Sequence, residues 1–256
     1  MSYFKNAARI SLVGFVLGQT VVGFGNERQS GNPEPPKVEA QPLKGDVSGA
    51  MPIYVPPKRG VPGGRRGGRT RGPGADQIMM LSLSPDHTGL TVQEQPTLYW
   101  FLSKTITAPI EFTLYDERSA VLPLLEVRLS PPNKPGVQRL RLSDYRVHLS
   151  PRVKYEWTVA LVIDPKQRGK DIIAGGAIEY LAQPAELAEK LAQAGKAEAP
   201  YLYAGAGYWY DAVTAISELI DVTPNDPFLR KQRAALLEQV GLSEIAQYDV
   251  VPVTSK

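Results

Sequence analysis

The sequence predicts an α+β protein: an immunoglobulin-like antiparallel β-sandwich followed by a C-terminal helical hairpin and preceded by a disordered arm. Three observations predict it. Val153, Tyr155, Trp157, Val159, Leu161 and Ile163 alternate with Lys154, Glu156, Thr158, Ala160 and Val162, the period of a strand with one buried face. After Asp76, short apolar runs are separated by Pro, Gly, Asp and Asn, the texture of an all-β region. Beyond Gln183-Pro184 the apolar spacing lengthens to that of helices. In sandwiches of this type a Tyr near the start of the sixth strand ties its hydroxyl to backbone a few residues upstream, two residues before the second cysteine. Tyr155 fits that position, and Trp157 then stands where the cysteine would be.

With 256 residues, 43% of them hydrophobic, the chain can hold one or two domains with a real core. It has no cysteine, which excludes disulfides and thiolate chemistry, and its two histidines, His87 and His148, leave almost nothing for a zinc or copper site. No cofactor is implied. The formal charge of +3 is unevenly spread: Lys58, Arg59, Arg65, Arg66, Arg69 and Arg71 fall in a stretch with no acidic residue between Asp46 and Asp76. The rest of the chain is therefore net negative.

Residues 1–25 read as a secretory signal peptide. Lys5 and Arg9 precede an apolar run from Ile10 to Phe24, and Gly23 and Gly25 flank a cleavage point before Asn26. The run is short against the roughly 20 residues of a spanning helix. The expectation is an exported protein, periplasmic or extracellular, with no integral membrane span after signal cleavage.

Residues 26–75 read as a disordered linker, because prolines at 33, 35, 36, 42, 52, 56, 57 and 62 together with glycine and charge forbid a packed core. It contains GGRRGGRTRG, Gly63 to Gly72. One reading is a polyanion-binding arm in which Arg65, Arg66, Arg69 and Arg71 neutralise an anionic polymer. The other, favoured for an exported chain, is a solvated leader. Gly63-x4-Gly68-Arg69-Thr70 is not a phosphate loop: arginine replaces lysine, no apolar strand precedes it, and Pro73-Gly74 follow where a helix must start.

The β-sandwich domain is expected over 76–182, with strands at 78–84, 97–103, 109–116, 120–129, 136–142, 153–163 and 171–180. Leu98, Trp100 and Leu102 share a face, as do Ile110, Phe112 and Leu114, and Leu125, Val127 and Leu129. Residues 183–256 are expected to be helical and packed on the sandwich. One helix follows Pro184 and ends at Gly195; a long one carries Leu202, Ala206, Trp209, Val213, Ile216 and Ile220; a third runs from Asp226-Pro227 to Gly241. Gly207 to Asn225 looks like the second helix of a tetratricopeptide unit and its turn, but a single unit cannot stand alone.

Catalytic patterns are thin. Asp86-His87 and Asp144 with His148 are the acid–histidine neighbours, and no GxSxG turn accompanies them. Asp116-Glu117 and Glu186 with Glu189 read as a strand end and an exposed helix face rather than acid/base pairs. Gly205-Ala206-Gly207 lacks the third glycine of a dinucleotide fingerprint and reads as close helix packing. Tyr201, Tyr203, Tyr208, Trp209 and Tyr210 are denser than one helix face buries, so they either fill the seam against the sandwich or, through Tyr201, Tyr208 and Tyr210, present a partner surface.

The Arg-Gly leader ending Thr70-Arg71-Gly72-Pro73, GLTVQEQPTLYWFLS from Gly89, EFTLYDE from Glu111, LSPRVKYEWTVALVIDP from Leu149, AGGAIEYL from Ala174 and YAGAGYWYDAVTAISEL from Tyr203, in that order, resemble the bacterial domain of unknown function 928 family, common in cyanobacteria. The resemblance runs from about Gly63 to the end. It implies an exported protein with a β-rich body and a helical tail, with no assigned activity and no catalytic residues to transfer. Members often carry a cysteine just after the leader and another after the long strand, where this chain has Gly74 and Ile163 or their neighbours. If those cysteines pair in relatives, the bridge has been lost here as a unit. The expected function is a non-catalytic interaction or structural module of the cell envelope with an unknown protein partner. Polyanion binding by the arm is the alternative, and an envelope hydrolase the weakest.

Overall fold

A computed structural model describes residues 49–58, 65–69, 77–119 and 122–250, all within one compact unit spanning 45–256. The signal peptide expected at 1–25 lies outside the described residues, as do 26–48 of the linker. Among the described residues, nine strands precede five helices. The strands are β1 (Gly67–Arg69), β2 (Met79–Ser82), β3 (Gly89–Thr91), β4 (Thr97–Leu102), β5 (Ile110–Asp116), β6 (Leu125–Leu129), β7 (Gly136–Arg141), β8 (Lys154–Leu161) and β9 (Ile172–Tyr180). The helices are α1 (Ala185–Gln193), α2 (Ala199–Gly205), α3 (Trp209–Val222), α4 (Pro227–Gln239) and α5 (Ser243–Val250).

The protein is a mixed α/β fold with two sheets, of order β1-β2-β4-β7 and β3-β9-β8-β5-β6. Neighbours are antiparallel throughout, except that β3 runs parallel to β9. At the centre of the larger sheet, β8 pairs with β5 from Asp116↔Tyr155 to Ile110↔Leu161 and with β9 from Lys154↔Glu179 to Leu161↔Ile172. Its inward row is the one the alternation gives: Val153, Tyr155, Trp157, Val159 and Leu161 are buried. Ile163, beyond the last paired residue, is 42% exposed. The Tyr155 hydroxyl accepts the Ser150 backbone N–H at 2.9 Å, five residues upstream.

Leu98, Trp100 and Leu102 join Phe112, Leu114 and Trp157 in one core, where burial of each large side chain contributes about 1.5–3 kcal/mol. β4 is buried on its other face as well, at Tyr99 and Phe101. That face is covered by helices: Phe101 meets the Tyr248 ring of α5 edge-on, 4.8 Å between centroids. This second layer is why β4 does not alternate between apolar and polar.

The structure departs from the sequence expectation in five places. β1 and β3 are three-residue strands whose formation depends on pairing with β2 and β9 rather than on their own composition. Of the strand expected at 120–129, β6 takes Leu125–Leu129, after Pro123, and residues 120 and 121 lie outside the described residues. The single helix expected through Leu202 to Ile220 is two helices, α2 and α3, because Gly207 takes φ +83° between them. The hairpin is a five-helix layer, closed by an α5 that the sequence reading did not include. Within the stretch read as linker, residues 49–58 and 65–69 belong to the body; Arg66 exchanges both backbone hydrogen bonds with Gly175 of β9, at 2.8 and 2.9 Å.

Candidate functional site

Residues 50–57 lie in a groove between α2, the start of α3, the end of α4 and the turn at Asp86-His87. Pro52 and Tyr54 are buried while Met51, Ile53 and Val55 are exposed, the alternation of an extended chain. The groove addresses the strap's backbone. Gln239 uses both ends of its amide: Oε1 accepts the Tyr54 N–H at 2.8 Å, and Nε2 donates to Pro52 O at 2.9 Å and to Ala235 O at 2.8 Å. The Val55 N–H donates to Ala204 O at 3.0 Å, and the Tyr201 hydroxyl donates to Ala50 O at 2.8 Å. Pro52, Pro56 and Pro57 have no N–H to satisfy and restrict the free chain toward an extended form.

A niche for one side chain completes the groove. The Tyr54 ring stacks on His87 (6.0 Å, 8°) and meets Trp209 edge-on (4.9 Å, 72°). Its hydroxyl lies 2.9 Å from His87 Nε2. Burial raises the Tyr54 hydroxyl above its ordinary range and lowers the His87 imidazole, with Asp86, 4.0 Å from Nδ1, pulling the other way. With the proton on Nδ1, toward Asp86, Nε2 accepts from the tyrosine. Trp209 is itself fixed by its Nε1–H, which donates to Leu83 O at 2.8 Å. Gly207 closes the wall: a Cβ there would stand 2.9 Å from Val55 O.

Two further polar features flank the seam between sheets and helices. Asp211, in the first turn of α3 and 5% exposed, accepts the Val92 N–H at 3.0 Å and the Thr91 hydroxyl at 3.3 Å. Desolvation pushes its carboxyl up to about 7, against the pull of those bonds. It borders a cleft of about 350 Å³ with Gln93, Gln95, Arg141, Tyr203 and Glu218. A larger cleft of about 720 Å³, lined in part by Phe101, Arg139, Arg230 and Tyr248, lies between β7 and α3–α5.

The residues singled out by sequence fall as follows. Arg65 donates to Val240 O at 2.6 Å, just past the end of α4, and to Ser84 O at 3.4 Å. Arg66 is bound through its backbone to Gly175 and through Nη2 to Glu156 at 3.5 Å. Arg69 lies in β1, and Arg71 lies outside the described residues. Of the four arginines, Arg65 and Arg66 are thus engaged with the body. Tyr201, Tyr208 and Tyr210 are 7, 6 and 1% exposed. They face inward: Tyr201 holds the strap, Tyr208 packs with Val92 and Leu187, and Tyr210 reaches β8 and β9.

The other sequence candidates have structural partners. His148 lies 3.3 Å from Glu94 rather than against Asp144. Asp116 is held below the usual carboxylate range by its hydrogen bonds with Arg118, and Glu186 likewise by Lys190. Among the described residues no group of three or more His, Asp or Glu side chains could hold a metal ion, and no helix is long and apolar enough to cross a membrane. Tyr54, Gln239 and Gly207 were missed as site residues. One signal was available: Tyr54 is the only Phe, Tyr or Trp between Phe24 and Tyr99, and prolines stand on both sides of it.

Fold and contacts together define a β-rich mixed α/β body whose helical layer holds residues 50–57 of the same chain in an extended form. The chain belongs to the family described as Domain of Unknown Function (DUF928), whose sequence model matches residues 61–250. No curated protein matches it. The match takes in His87, Ala204, Trp209 and Gln239 and begins after the strap they hold.

Proposed function

We propose that the protein is an exported, non-catalytic interaction module of the cell envelope, an immunoglobulin-like sandwich covered by its helical layer. The sandwich reading is supported by the two strand orders, by β3 running parallel to β9, and by the bond from Ser150 to the Tyr155 hydroxyl. Export is supported by Lys5, Arg9 and the apolar run that follows them.

One observation carries the functional reading: the helical layer holds an extended segment by hydrogen bonds to its backbone and a niche for one aromatic ring. Backbone bonds supply affinity and alternate side-chain pockets supply selectivity when proteins bind extended peptides. The polyanion role has less support, since Arg65 and Arg66 are engaged with Val240 O, Gly175 and Glu156.

Two measurements test this. Mass spectrometry of the envelope fraction should find the mature chain starting at Asn26. A photo-crosslinking residue at Glu238, beside Gln239, should capture a discrete envelope protein in the native host, while the same residue at Glu126 on β6 should not. Identical adducts at both positions, or none, would refute the interaction reading.

A further inference from the structure

We infer that the cleft of about 720 Å³ between β7 and α3–α5 is a binding site for a small amphipathic anion, a molecule with one apolar body and one acidic group. The inference stands apart from the interaction-module reading and uses none of the contacts of residues 50–57.

The cleft arises where the helical layer meets the end of a sheet. The outer face of β4 is covered, with Phe101 against the Tyr248 ring of α5, whereas β7, last in the order of its sheet, borders the cleft. Its walls are largely apolar. Phe101, Ile220 and Ile245 are 1, 5 and 0% exposed, and Val137 of β7 is half-buried beside them. Tyr248, which also lines the cleft, is 49% exposed, so part of its ring is left for an occupant to cover. A cleft of this volume with apolar walls and a few charged groups has the make-up of a small-molecule site.

Charge sets the sign of the occupant. Four cationic side chains, Lys134, Arg139, Arg230 and Arg233, line the cleft against two carboxylates, Asp221 and Asp249. Both carboxylates are already engaged: Asp221 pairs with Arg139, and Arg233 holds both oxygens of Asp249. Arg230 is oriented by Pro224 O, to which its Nε and Nη2 donate at 3.3 and 3.1 Å, and its Nη1 stands 3.7 Å from Asp249. Lys134 is exposed. The excess positive charge therefore falls on Lys134 and Arg230, beside apolar walls, where an anion is attracted and a cation repelled. An inorganic anion would leave the walls wet, and a plain hydrocarbon would leave the cations without a counter-charge; an amphipathic anion meets both. A contact with a bilayer would spread cations and apolar side chains over an outer face, whereas here they line a cleft.

The test is isothermal titration calorimetry of the full chain with hexanoate, octanoate and decanoate, each below its micellar concentration. Decanoate is expected to bind saturably, one molecule per chain, with affinity rising by up to about fourfold for each methylene along the series. Decylammonium should bind about tenfold more weakly than decanoate or worse. Lys134→Gln combined with Arg230→Gln should weaken decanoate about tenfold and narrow its lead over decylammonium. Because Arg230 also holds Pro224 O, Lys134→Gln alone, at an exposed position, guards against a misfolded double variant and should give a smaller loss in the same direction. Val137→Trp puts a large ring into the cleft with every charge in place and should abolish binding. The proposal is overturned if decanoate does not bind, if chain length has no effect, if decylammonium binds as well, or if Val137→Trp binds like the wild type. Flotation with phosphatidylglycerol vesicles tests the membrane alternative: wild type and Val137→Trp should float to the same extent, and flotation lost in Val137→Trp would overturn the proposal in favour of a bilayer contact.

Discussion

Trp157 donates its indole Nε1–H to the Tyr210 hydroxyl at 3.0 Å, and Tyr210 donates in turn to Ala177 O at 3.1 Å. One ring from α3 thereby joins two strands of the larger sheet at a point where both aromatic side chains are less than 2% exposed. Tyr210→Phe leaves a buried donor and a buried acceptor unpaired, which costs about 1–3 kcal/mol. Urea unfolding should show a lower midpoint at an unchanged slope.

The helical layer is closed around the buried Asp249 carboxylate, which pairs with Arg233 and lies 3.7 Å from Arg230 Nη1. Arg233 Nε and Nη2 meet the two oxygens of Asp249 at 2.6 Å each, and Nη1 donates to Ser217 Oγ at 3.1 Å. Asp249→Ala leaves a buried guanidinium without its partner and should cost about 3–5 kcal/mol, detaching α5 from α4. Arg233→Met combined with Asp249→Leu removes both charges and should recover most of that loss. Thermal unfolding of the two variants beside the wild type provides the measurement.

Asp211 gives the stability a definite sign with pH. Its folded value of about 7 lies above its ordinary carboxylate value, so the native state holds a proton that the unfolded chain has released. Its contribution is full below the unfolded value and is lost as pH rises through about 7. His87 acts in the opposite sense, since burial lowers its folded value and its contribution is lost as pH falls. Comparison with Asp211→Asn separates them: the wild type should lose stability relative to the variant between pH 5 and pH 8. Parallel pH profiles of the two proteins would refute the assignment.

Gly207 sits at φ +83° against Val55 O. Gly207→Ala combines a left-handed backbone, which costs a non-glycine residue about 1–2 kcal/mol, with a Cβ pressed on the strap. Trypsin should cut after Lys58 faster in this variant than in the wild type, while the sheets keep their far-ultraviolet signal.

The β body was legible because alternation is local: Tyr155 and Trp157 declare their face within a few residues. β4 was half legible, since Tyr99 and Phe101 are buried by helices more than a hundred residues away, which no local period reports. α5 was missed because its hold on the body is tertiary: the Arg233–Asp249 pair joins residues 16 apart on different helices, and the Tyr248 ring packs on Phe101 of β4. The strap was concealed by its composition. Pro52, Pro56 and Pro57 prevent a ladder or a helix of its own, and those prolines are also what suits an extended segment to a groove supplied by residues up to 187 positions away.

Native-state hydrogen exchange at Tyr54 and Val55 tests the groove most directly, since their amides donate to Gln239 and Ala204 and to nothing in their own segment. Both should be protected in the wild type, and Gln239→Ala should release Tyr54 while leaving Tyr155 and Val159 in β8 unchanged. Exchange of Tyr54 and Val55 at the rate of an unstructured peptide, with β8 still protected, would mean that the strap does not occupy the groove.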